Sequence, residues 1–94
     1  MPSFPCVLGF KVFIWSNEGK PLEPIHVHVT KGVPNKNSTK FWIMSNGSVC
    51  LADNSSHLSE REISRLKKAL ADYSDIYIRI WEEYFKEKAK YIDK

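Results

Sequence analysis

Ser48-Val49-Cys50-Leu51-Ala52-Asp53-Asn54-Ser55-Ser56-His57-Leu58-Ser59-Glu60-Arg61-Glu62-Ile63-Ser64-Arg65-Leu66 is the stretch in which the apolar pattern changes period from 2 to 3.6. Extended structure is expected before it and helix after it, which sets the fold class as α+β. On the helical side Ser59 stands at an N-cap position with Glu62 three residues on, a capping box. Leu58 and Ile63 occupy the two positions of a hydrophobic staple, so three local signals agree on one helix start.

Downstream, Ile63, Leu66, Leu70 and Tyr73 form an apolar stripe that predicts a sheet-facing side, with Arg61, Arg65 and Lys68 on the opposite face. Tyr77, Ile80, Trp81, Tyr84 and Phe85 carry the seam onward nearly in phase. One straight helix over residues 59–92 would be about 50 Å long at 1.5 Å per residue, too long for one small domain. The reading is therefore two amphipathic helices, 59–73 and 75–91, hinged at Asp72-Tyr73-Ser74-Asp75. The alternation of Ile76, Ile78 and Ile80 leaves a strand there as a minor alternative.

Upstream, residues 10–15 have the β-branched and aromatic content of a strand. Residues 16–24, with Pro21 and Pro24, read as a turn and connecting loop. Ile25-His26-Val27-His28-Val29-Thr30 alternates cleanly, with Ile25, Val27 and Val29 on one face and His26, His28 and Thr30 on the other. Residues 32–38 have loop composition, 39–44 resume strand, and Asn46-Gly47 signals a two-residue hairpin with positive φ at both positions before a last strand at 48–52. The expected architecture is an antiparallel sheet of four to five strands within residues 6–52, packed against the C-terminal helices.

The chain has 94 residues, enough for one core, so residues 1–94 read as a single domain. Hydrophobic residues make up 43% and Trp15, Trp42 and Trp81 add large apolar area, so the chain is expected to fold unaided. No stretch reaches the ~20 apolar residues of a membrane span and the first residues lack a basic signal-peptide region, which predicts a cytoplasmic protein. Cys6 and Cys50 have no partner cysteine at a metal or redox spacing and read as buried thiols. The net charge of +3 permits an anionic partner without requiring one. Phosphate-loop, nucleophile-elbow and paired-carboxylate patterns do not occur, and no cofactor is expected.

The order of Trp15-Ser16-Asn17-Glu18-Gly19, Glu23-Pro24-Ile25-His26-Val27-His28-Val29, Lys40-Phe41-Trp42-Ile43 and Trp81-Glu82-Glu83-Tyr84-Phe85 resembles the prokaryotic domain-of-unknown-function family 4160 along almost the whole chain. Ile25 replaces the second proline of the family pattern, and the loop at 32–38 is a few residues longer. Members often stand beside a second small gene. The resemblance thus implies a toxin-antitoxin-type pair and a small cognate protein partner.

His26 and His28, two apart on a strand, should project from one face about 7 Å apart. Three uses of the pair stay open. With Lys40 to steady a phosphate, the imidazoles suit general acid and base work on RNA, which makes His26, His28 and Lys40 the candidate catalytic residues. As metal ligands they would need more partners, and His57, Cys50 and Glu23 are not fixed by spacing, so no metal site is assigned. Alternatively they hydrogen-bond to backbone on a half-exposed sheet face.

Trp42, beside Lys40, offers a stacking platform. Arg61, Arg65 and Lys68 offer a basic stripe for nucleic acid or a partner. The leading expectation is the toxin-like half of a pair acting on or binding RNA. The competing one is a non-enzymatic protein-interaction module that docks through the sheet face or the Trp81 seam.

Overall fold

The computed structural model describes residues 2–15, 23–35 and 37–94. Of the turn and loop expected over 16–24, residues 16–22 lie outside them.

Among the described residues five strands and two helices follow in chain order: β1 (Ser3–Val7), β2 (Phe10–Phe13), β3 (His26–Thr30), β4 (Thr39–Ile43), β5 (Val49–Asp53), α1 (Glu60–Ala71) and α2 (Ser74–Phe85). The strands form one antiparallel sheet in the order β1-β2-β3-β4-β5. The α+β architecture predicted from the change of period is the architecture found. The sheet starts at Ser3 rather than at residue 6, because Pro5 falls in an end strand, where a missing backbone donor can be tolerated.

Two hairpins show how local chemistry sets the register. Leu8 and Gly9 both have positive φ, 51° and 81°, as a two-residue turn between β1 and β2 requires. At the next signal, Asn46-Gly47, only Gly47 has positive φ, 88°. Gly47 N–H donates to the Met44 carbonyl at 2.9 Å and Met44 N–H to the Ser48 carbonyl at 2.8 Å, so the loop is one residue longer than expected, with glycine in the left-handed position. The Asn46 side chain accepts from Ser48 N–H at 2.9 Å, which favours this wider turn.

One face of the sheet carries the core. Val12, Ile14, Ile25, Val27, Val29, Phe41 and Ile43 pack with Leu66 and Leu70 of α1 and Tyr77 and Trp81 of α2. Burial holds the Tyr77 phenol neutral, raising its pKa to about 12. Tyr73, expected in the buried stripe, is 48% exposed because the helix breaks beside it. α1 ends at Ala71 and α2 begins at Ser74, so the hinge falls where it was expected, with Tyr73 at φ −110° and ψ 8° turning the chain.

The start of α1 follows the sequence signals. Ser59 Oγ accepts from Glu62 N–H at 3.1 Å and Glu62 Oε1 accepts from Ser59 N–H at 3.2 Å. Ser59→Ala should therefore cost about 1 kcal/mol, read as a fall of roughly 4–8 °C in thermal midpoint. An unchanged midpoint would mean that the cap contributes nothing.

α2 stops at Phe85, not at residue 91. Lys86 takes a left-handed conformation, φ 56° and ψ 39°, and the Glu82 carboxylate accepts from Ala89 N–H at 2.8 Å, folding the tail back. Ile25 N–H then donates to the Lys90 carbonyl at 2.7 Å, and Asp93 accepts from the Ser45 hydroxyl and backbone N–H. These bonds hold the Asp93 carboxyl below its usual range. Neither cysteine is fully buried: Cys6 is exposed on β1 and Cys50 is half-buried, its Sγ 3.5 Å from Met44 Sδ.

Candidate functional site

The sheet face turned away from the helices holds the histidines. Register places His26 opposite Trp42, His28 opposite Lys40, and Phe13 opposite His28. All four candidates from β3 and β4 therefore meet in one patch, as an antiparallel pairing of two alternating strands dictates.

The patch is not an open polar surface. His26 is 1% exposed and His28 5%, because β3 is the central strand and both of its sides are covered. The two rings meet edge to face with centroids 5.2 Å apart. His28 stacks on Phe13 at 5.4 Å and 19°, and His26 stands against Trp42 at 5.7 Å and 88°. Phe13 in turn contacts Trp15 at 6.4 Å. This is an aromatic layer with two imidazoles built into it.

Hydrogen bonding fixes the rings further. His26 Nδ1 lies 2.9 Å from the Pro24 carbonyl and His28 Nδ1 lies 3.2 Å from the Ser38 carbonyl. A carbonyl only accepts, so each Nδ1 carries the proton, and in a neutral ring Nε2 keeps the lone pair. Such a tautomer suits a base or a metal ligand, but burial leaves neither ring facing open solvent. Among the described residues no group of three His, Cys, Asp or Glu is placed to hold a metal ion, and His57 sits exposed in the loop before α1.

Lys40 and Trp42 lie at the border of this layer. Lys40 Nζ is 2.7 Å from Glu23 Oε1 and 4.3 Å from the centroid of the Trp42 ring. The hydrogen bond from the Lys40 ammonium holds the Glu23 carboxyl below the usual carboxylate range. An ammonium paired to a carboxylate and resting on an indole is a weaker phosphate anchor than a free one.

Arg61, Arg65 and Lys68 are all exposed on α1. α1 covers the opposite side of the sheet, so the basic stripe and the Lys40-Trp42 pair do not form one continuous surface. Trp81 is 0% exposed and Phe85 packs against it at 4.8 Å, so this part of the seam is core, whereas Tyr84 is 45% exposed. Phe13 was missed as a site residue. It shares the alternation of Lys11 and Trp15, and a register with β3 would have placed it beside His28; nothing in the sequence signals the Ser38 carbonyl.

A family profile described as Domain of unknown function (DUF4160) matches residues 9–82, from the first hairpin through most of α2. The chain belongs to the DUF4160 family. No curated protein and no solved structure matches it significantly. The DUF4160 match spans β2 to β5 and α1 in full, so it includes His26, His28, Lys40, Trp42 and the basic stripe. No helix among the described residues of this DUF4160 domain is long and apolar enough to cross a membrane.

Proposed function

We propose that this DUF4160 domain is a binding module that holds a small protein partner, as one half of a two-gene pair, and performs no bond-breaking step itself. One observation carries the reading. The groups that a metal-free ribonuclease needs at its surface are used inside the domain: both imidazoles are buried with Nδ1 given to backbone carbonyls, and Lys40 is paired with Glu23. A general acid or base must come within hydrogen-bond reach of its substrate, and these rings are covered.

The exposed basic stripe of Arg61, Arg65 and Lys68 favours a second reading, RNA binding without cleavage. Two measurements separate these readings from catalysis. Co-expressed with a small protein encoded beside it, as the two-gene reading requires, the chain should elute as a stable complex in size-exclusion chromatography. Incubated with RNA, it should leave the RNA intact. RNA cleavage that disappears in a folded His26→Gln or His28→Asn variant would overturn the module reading. Salt-sensitive RNA binding lost on reversing Arg61, Arg65 and Lys68 would establish the second.

A further inference from the structure

β5 ends the sheet, with β4 on one side only. Met44 N–H donates to the Ser48 carbonyl and Cys50 lies opposite Trp42, so even-numbered residues of the strand direct their backbone groups at β4. Val49 and Leu51 direct theirs outward. The opposite end strand, β1, carries Pro5, which has no donor to offer, whereas Val49 and Leu51 carry neither a proline nor a charge.

Beside the open β5 edge runs a groove lined by Leu51, Leu58 and Ile63, with Glu60 and Lys67 also on its wall. Residues 60, 63, 64 and 67 share one flank of α1, and a seven-residue rise sets Glu60 about 10 Å from Lys67 along the helix. The groove is therefore acidic toward one end, basic toward the other and apolar between. Leu51 is 39% exposed on it.

We infer that this edge pairs with a second copy of the chain, β5 against β5 antiparallel, about a two-fold axis at Cys50. In that register the outward groups of Val49 meet those of Leu51 in the other copy, and the reverse pair repeats the match. The axis also reverses the groove, so the Glu60 end of one copy faces the Lys67 end of the other. A patch that complements itself in this way is what a two-fold interface requires, and a partner of uniform charge would match only one end. The two Cys50 residues then form a non-hydrogen-bonded pair with Cα atoms about 4.5 Å apart, within the range a disulfide spans.

The full chain carrying Cys6→Ser, which removes the exposed thiol, tests the pairing. Sedimentation across micromolar to millimolar concentrations should show a species of twice 10.9 kDa. Diamide, which takes up the two hydrogens lost by two thiols, should link the copies covalently, and a further Cys50→Ser change should abolish the link. Leu51→Lys places a charge beside its own copy at the axis and should return the protein to monomer. If that variant does not fold, Lys67→Glu, on the exposed flank of α1, takes its place and should weaken the dimer roughly fivefold. A monomer at every concentration, a dimer indifferent to the variant used, or a dimer that diamide does not link through Cys50 would overturn the inference.

Discussion

Replacing Trp81 with alanine is expected to lower the stability of the domain by about 3–5 kcal/mol, the range for deleting a large buried aromatic side chain. Trp81 is 0% exposed and lies in the core cluster, where it joins α2 to the sheet. A chain of 94 residues has only about 5–14 kcal/mol in total, so the change removes a large share and the thermal midpoint should fall by more than about 12 °C. Trp81→Phe separates packing from polarity. The Trp81 Nε1 group has no hydrogen-bond partner among the described residues, and an unpaired buried donor costs about 1–3 kcal/mol. Phenylalanine removes that donor along with some volume, so its loss should be well under half that of alanine. Equal losses for the two variants in a urea melt would show that the indole N–H is satisfied or that Trp81 is not packed as described.

His28→Ala should cost about 2–4 kcal/mol, from the lost ring volume and the lost hydrogen bond together. The ring stacks on Phe13, and its removal leaves the carbonyl of buried Ser38 without the Nδ1 donor. His28→Asn puts an amide N–H near the position of Nδ1, whereas His28→Gln puts one near Nε2. If the bond to Ser38 is what matters, asparagine should recover more of the midpoint than glutamine. A full-strength midpoint for His28→Ala would show a ring free of the packing, and its chemistry would then return to consideration. Any biological loss in a histidine variant therefore needs a folding measurement beside it.

The functional candidates illustrate the difference between register and depth. Alternation along residues 25–30 and 39–44 was enough to bring His26, His28, Lys40 and Trp42 onto one face, because a strand has a period of two and antiparallel neighbours face each other. Alternation says nothing about what lies over a face. A strand at the edge of a sheet and one at its centre can share a pattern, and β3 proved to be central and covered on both sides. The histidines therefore moved from an expected surface into an aromatic layer.

Helix boundaries divide in the same way. Ser59 and Glu62 act within one turn, so the start of α1 was legible from local chemistry. The end of α2 was not: Lys86 takes the left-handed position without the glycine that usually marks it, and the tail is held by Ile25, Ser45 and Glu82, contacts distant in the chain or seven residues back.

By itself, then, the sequence determined the α+β class, the central strands, the start of α1, the two-helix break near Tyr73 and which side chains of β3 and β4 share each face. These follow from periodicity and capping, which act over a few residues. Only the tertiary structure decided that His26 and His28 are enclosed, that Lys40 is held by Glu23, and that the basic stripe lies across the sheet from Trp42. Those outcomes depend on how layers stack and which strand lies in the middle, and burial is a property of the assembled domain rather than of any short segment.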